Sequence, residues 1–251
     1  MRLRRLAPLA LVLAALACAP ARPELEPASP YVPDALERAT QLVLVTTPSW
    51  EATQGTLRRF ERTAAGWRAV GDTIPIVVGR TGLAWGVDAV PAAATEPTKR
   101  EGDGKSPAGV FAFGTAFGFA PPGAVRTRLP YLPLAPTTEC VDDVASAHYN
   151  RVLDRRAVPR IDWSSSEKMR SIDVYRLGVV VDYNTPATAG RGSCIFLHVW
   201  SGPTSVTAGC TAMPEAMLAD LMQWLDPARA PVLVQLTADA YARRRGAWRL
   251  P

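Results

Sequence analysis

His198 and Cys210 stand twelve residues apart in HVWSGPTSVTAGCTAM, residues 198–213. An imidazole beside a thiol can take its proton near neutral pH, leaving a nucleophilic thiolate steadied by imidazolium. The loop from Ser201 to Thr207 is long enough to carry the chain from a strand end bearing His198 back to Cys210. Gly209 lets the backbone approach closely there, and amide N–H groups at the Cys210 turn could hold a developing oxyanion. By themselves a histidine and a cysteine favour the structural reading, a strand histidine and half of a disulfide. His148, the only other histidine, has no cysteine near it in sequence. A papain-like arrangement is disfavoured, because His198 precedes Cys210 and no histidine follows.

The remaining cysteines bear on that choice. MRLRRLAPLALVLAALACAP opens the chain with an arginine-rich start and an apolar stretch from Leu6 to Ala17, too short for a membrane span. This predicts an export signal over residues 1–18. Ala15-Leu16-Ala17 suits ordinary cleavage, while LAALAC also resembles a lipoprotein box with Cys18 lipidated, the favoured option. Residues 19–40 then read as a tether, Pro-, Ala- and Glu-rich up to Pro33. The expected location is outside the cytoplasm, in the periplasm, with lipid as a membrane anchor. There, cysteines tend to pair. Setting Cys18 aside leaves Cys140, Cys194 and Cys210, an odd number with three ways of pairing. The apolar setting of Cys194 and the loop-like setting of Cys140 favour a Cys140–Cys194 bridge, with Cys210 left over in its small, turn-prone frame.

The elements that position these residues are mostly strands. QLVLVTT (41–47), two short strands around Ala64-Ala65-Gly66, IPIVVGR (74–80), GVFAFGTAFGF (109–119), RSIDVYRLGVVVDYN (170–184), GSCIFLHVW (192–200) and PVLVQLT (231–237) carry the apolar or alternating pattern. PEAMLADLMQWLD (214–226) is the clearest helix, with Met217, Leu218, Leu221, Met222, Trp224 and Leu225 as its apolar face. The helix start near Pro214 would give a Cys210 thiolate modest support. Residues 95–109 read as a polar surface loop, and 120–170 as irregular excursions with weak periodicity. Net charge is +5, falling to 5 − 3 = +2 without Arg2, Arg4 and Arg5. No basic-aromatic interleaving points to nucleic acid, and the arginines at 243–245 and 249 read as a solvated terminal helix.

The ordered set of segments resembles the bacterial L,D-transpeptidase (YkuD-like) catalytic domain. HVWSGPTSVTAGCTAM is similar to that family's histidine, loop and Ser/Thr-x-Gly-Cys signature, and VVGRTGLAWG and KREGDGKSPAGVF resemble its upstream segments. The resemblance covers roughly residues 42 to 236. It implies a mainly β, sandwich- or barrel-like domain with one major helix over 41–238, followed by a basic tail over 239–251. It implies Cys210 as acylated nucleophile, His198 as general base, and Gly209 and Thr207 as the glycine and Ser/Thr of the signature. The implied partners are peptidoglycan stem peptides, with a wall-anchored protein as another acceptor, no cofactor or metal, and a monomer. Ala208 replaces the histidine common before Gly-Cys, and Thr211-Ala212-Met213 replaces the usual Arg or Asn. A smaller branch with Ser-x-Gly-Cys-x-Ala-Met looks closer and includes enzymes that cut wall links. Transpeptidase, carboxypeptidase or amidase action all stay open, as does a non-catalytic murein-binding lipoprotein with Cys210 in a disulfide. Of the polar residues Asp142, Asp143, Tyr149, Asn150, Arg191 and Ser193, Arg191 is the best candidate to hold a stem-peptide carboxylate. KREGDGK lacks the spacing of a phosphate cradle, and Pro107 stands where the following helix would start.

Overall fold

A computed structural model describes residues 33–87 and 95–251. The expected export signal, Cys18 and the tether up to residue 32 lie outside the described residues. The chain enters through a short helix α1 (Asp34–Arg38) whose Leu36, with the following Ala39, is buried in the core. Residues 34–40 therefore belong to the domain and not to a tether, because two apolar side chains leave water there.

Strands β1 (Gln41–Thr47), β2 (Gln54–Thr63) and β3 (Gly66–Val77) follow as an antiparallel meander. Gly66, at φ 110, makes the β2–β3 turn, and the first four residues of IPIVVGR prove to be the far end of one long β3. Next come β4 (Leu83–Trp85), β5 (Ser106–Gly118) and β6 (Tyr131–Pro133). After the middle section, β10 (Leu177–Val181), β11 (Phe196–Val199), β12 (Thr211–Met213) and β13 (Val232–Thr237) complete the main sheet. Its order is β10-β11-β12-β3-β2-β1-β13-β5, and β5 pairs with β10 again, closing the sheet into a barrel. Closure leaves no open edge along that circuit and fills the interior with Leu42, Leu44, Leu57, Val179, Leu197 and Val234.

Helix α2 (Glu215–Trp224) begins just after Pro214 and packs on β10 and β11. Leu218, Leu221 and Met222 are fully buried, at the i, i+3, i+4 spacing of one helix face. Each stabilises that docking by about 1.5–3 kcal/mol. Met217, one position off that face, is 41% exposed.

Residues 120–170 are more ordered than their weak periodicity suggests. Strands β7 (Thr138–Val141), β8 (Val152–Asp154) and β9 (Ser166–Lys168) form a separate antiparallel sheet in the order β8-β7-β9. Glu139 anchors it: its buried carboxylate accepts from Trp163 Nε1 at 2.9 Å and Ser166 Oγ at 2.7 Å and pairs with Arg155. Those partners outweigh burial and hold the Glu139 carboxyl below its ordinary range. Strands this short carry too few residues to show a period. The C-terminal segment also differs from a free tail. Helix α3 (Ala238–Arg244) is capped by Thr237 and packs on β13, and Trp248 and Leu250 are buried in the core.

Candidate active site

Parallel strands β11 and β12 bring the histidine and the cysteine together. His198 on β11 lies opposite Ala212 on β12, and Cys210 is two residues before Ala212. Side chains two apart along a strand share a face, so Cys210 and His198 emerge on the same side. Both line a cleft of about 370 Å³, together with Thr207, Ala208 and Gly209.

The turn before β12 is held by its own hydroxyls. Thr207 Oγ1 donates to the Cys210 carbonyl at 2.6 Å and accepts from Gly209 N–H at 3.2 Å. Ser106 Oγ, fully buried on β5, donates to the same carbonyl at 2.8 Å and accepts from Gly79 N–H at 2.9 Å. Thr207 is thus part of the turn's scaffold, and the Gly209 N–H is occupied within it. A Cβ on Gly209 would lie 3.1 Å from the Lys105 carbonyl, so glycine here permits close backbone approach. Along the chain, β12 and Pro214 stand between Cys210 and the start of α2.

Cys140 on β7 is joined to Cys194 by a disulfide, leaving Cys210 as a free, buried thiol. Cys210 Sγ donates to the Cys194 carbonyl at 3.4 Å and accepts from Phe196 N–H at 3.3 Å. Cys194 adopts φ 54, uncommon for a residue with a Cβ, at the point where its carbonyl receives the thiol. The disulfide and the thiol therefore share one short segment of chain. A scaffold with Cys210 tied to another cysteine is not what the structure holds.

Burial pushes the Cys210 thiol well above its ordinary range, and the negative charge of Glu167 pushes it further. Burial likewise lowers His198, to about 4. The Val199 carbonyl, 2.7 Å from His198 Nδ1, can only accept. It therefore fixes the proton on Nδ1 and leaves Nε2 as the basic nitrogen. Burial therefore favours a thiol and a neutral imidazole at neutral pH, not the ion pair expected from the residue types alone.

Around this pair the cleft carries residues that sequence spacing did not single out. Arg80, Lys99, Glu101, Glu167 and Tyr175 all line it. Lys99 is only 3% exposed and is held by Asp103 at 2.6 Å, so the polar loop 95–109 folds inward. Glu101 accepts from Tyr149 Oη at 2.5 Å and Ser193 Oγ at 2.7 Å, tying that loop to the segment before β11. Tyr175 stands edge-on to the His198 ring at 5.2 Å and donates to Glu167 at 2.7 Å. EKM and DVYRL sit in turns and brief strands without a motif, so only the tertiary fold reveals them.

Of the expected polar residues, Asp142 and Ser193 line the cleft. One Asp142 oxygen is buried with no hydrogen-bond partner among the described residues. Asn150 instead pins a loop, donating to the Tyr183 and Asn184 carbonyls and accepting from Cys194 N–H. Asp143 caps the turn at Ser164. Arg191 does not line the cleft, so it is poorly placed to hold a carboxylate there; the cleft's cations are Arg80 and Lys99. His148 pairs with Asp162 at 3.1 Å, away from the thiol. No group of metal-ligating side chains occurs among the described residues.

No curated protein and no solved structure matches this chain. A model of the L,D-transpeptidase catalytic domain (YkuD) does match, over residues 62–234, a span holding β3 through the first half of β13 and both His198 and Cys210. With that match covering most of the chain, and a free thiol and an Nδ1-protonated histidine on one face of a closed barrel, the protein belongs to the L,D-transpeptidase catalytic domain family.

Proposed function

We propose that the protein acts on peptidoglycan stem peptides through a thioester on Cys210. His198 Nε2 takes the thiol proton as Sγ attacks the carbonyl of the stem's third residue, a diamino acid. The C–N bond to the terminal D-alanine then breaks, and the proton on His198 leaves with the alanine's amine. An amine on a second stem peptide takes up the acyl group, giving a crosslink, and the proton it loses returns through His198 to Cys210. An amine on a wall-anchored protein would give attachment instead, and water would give hydrolysis.

What supports this reading is one observation: the free thiol of Cys210 shares a strand face with His198, whose Nδ1 is already committed to Val199. Burial disfavours the charged form of both residues, so the transfer of the thiol proton to His198 accompanies attack on the carbonyl. An exported location and a lipid on Cys18 rest on the N-terminal sequence.

Mass analysis of muropeptides incubated with the purified protein tests the reaction. Dimers, release of D-alanine or release of a linked protein each name a different acceptor. Cys210→Ala is expected to abolish whichever is seen, and His198→Ala to slow it about 10²–10⁴-fold. Turnover by folded Cys210→Ala would overturn the reading.

A further inference from the structure

Of the two cations that line the cleft, Lys99 is already answered by a carboxylate. Its buried Nζ donates to Asp103 Oδ1 at 2.6 Å and to the Arg100 carbonyl at 2.7 Å. Arg80 has no carboxylate partner among the described residues, and its guanidinium reaches only the Gly102 carbonyl, at 3.4 Å. A guanidinium held in a cleft without an anion suits a carboxylate, which it can meet with two parallel N–H···O bonds. We propose that Arg80 is a specificity-determining residue that takes the free C-terminal carboxylate of the stem peptide, selecting stems that end one residue after the attacked carbonyl. This inference rests on Cys210 being the nucleophile.

The KREGDGK loop holds Arg80 beside the nucleophile's turn. Arg80 N–H donates to the Thr207 carbonyl at 2.9 Å, and the Thr207 hydroxyl in turn holds the Cys210 carbonyl. The Arg80 side chain lies along Gly104, where a Cβ would stand 2.9 Å from Cγ, Nε and Cζ of the arginine. Only glycine leaves room for that contact, and at φ 69 only glycine takes the backbone without strain. Asp103, next to Gly104, is spent on the loop itself. Its carboxylate accepts from Arg100 N–H at 2.7 Å and Lys105 N–H at 2.9 Å as well as from Lys99, and its carbonyl accepts from Thr81 Oγ1 at 2.6 Å. The nearest acid along the loop is thus withheld from Arg80.

Charge across the cleft gives the peptide a direction. Arg80 follows β3, which pairs with β12 on one flank of the thiol, whereas Tyr175 and its partner Glu167 lie ahead of β10, past β11 on the other. Asp142 joins Glu167 there. Glu167 stands opposite Cys140 across β9 and β7, and Asp142, two residues beyond Cys140, falls on the same face. Glu101, the third carboxylate of the cleft, is held by Tyr149 and Ser193. A terminal carboxylate is repelled from the acidic flank, and the ammonium on a diamino acid side chain is drawn to it. One orientation satisfies both, with the carboxylate on Arg80 and the scissile bond over Cys210. A stem longer by one residue carries its carboxylate about 3.5 Å farther on and leaves an uncharged amide at Arg80.

Calorimetric titration of the full chain carrying Cys210→Ala, which keeps the cleft without the nucleophile, tests the assignment. The probe is a synthetic stem tetrapeptide with 2,6-diaminopimelate third and D-alanine last, prepared as the free acid and as the C-terminal amide. At low ionic strength the acid is expected to bind about 10–100-fold more tightly than the amide. Adding Arg80→Ala should bring the acid to the level of the amide and leave the amide unchanged. Arg80→Lys, which keeps the charge without the paired donors, should retain part of the preference. A merely structural role for Arg80 would weaken both forms alike and leave their ratio intact. Equal binding of acid and amide to Cys210→Ala, or a preference that survives in folded Arg80→Ala, would overturn the proposal and leave the nucleophile reading standing. Binding of neither form would take the stem-peptide reading down with it. The nucleophile reading fails separately, if Cys210→Ala still processes muropeptides.

Discussion

At the scale of single residues, the site is defined by protonation states that burial sets against the residues' habits. His198 is lowered and Cys210 raised, so neither is charged at rest. Glu167 carries a measurable consequence for stability. Its folded value of about 7 lies above the ordinary carboxylate value of 4.5, so the folded state keeps a proton that the unfolded state has released. That contribution is whole below about pH 4.5 and is lost as pH rises toward about 7. Glu167→Gln removes it, so the variant should gain melting temperature relative to wild type as pH is raised across this window. A pH-independent difference in calorimetry would refute the assignment. Cys210 and His198 were legible as chemistry in the sequence, because a signature stretch contains both. Glu167 and Tyr175 were not, because they come to the cleft of the thiol only across separate turns of chain.

At the scale of elements, the three-stranded β8-β7-β9 sheet depends on one covalent tie to the barrel. The Cys140–Cys194 bridge closes a separation of 54 residues, and Cys194 also supplies the carbonyl that receives the Cys210 thiol. Replacing both bridging cysteines by alanine should cost about 2–4 kcal/mol in guanidinium unfolding. It should also lower activity more than that loss explains, since Glu167 on β9 and the Cys194 carbonyl would both lose their anchorage. Full activity in the folded double variant would show that hydrogen bonds alone hold this sheet in place. Helix α2 and β1 were readable because each is long enough to show its period. The β7, β8 and β9 strands, three or four residues each, offered none.

At the scale of the whole molecule, the barrel closes only through pairings far apart in sequence: β1 beside β13, and β5 beside both β13 and β10. The C-terminal helix α3 packs on both β13 and β1, and Trp248 and Leu250 beyond it are buried in the core. Truncation after Thr237 should therefore destabilise the domain by on the order of 3 kcal/mol or more. A melting temperature unchanged by that truncation would mean the segment is a passenger. By itself, the sequence determined the mainly β class, the helix after Pro214 and the pairing of a histidine with a cysteine, since each is written in local pattern or in one contiguous signature. Only the tertiary structure decided that Arg80 and Lys99 are the cleft's cations, that Glu167 and Tyr175 line the cleft that holds the thiol, and that burial disfavours charge on His198 and Cys210. The physical reason is that desolvation and hydrogen-bond direction depend on what surrounds an atom in space, and neighbours along the chain record little of that.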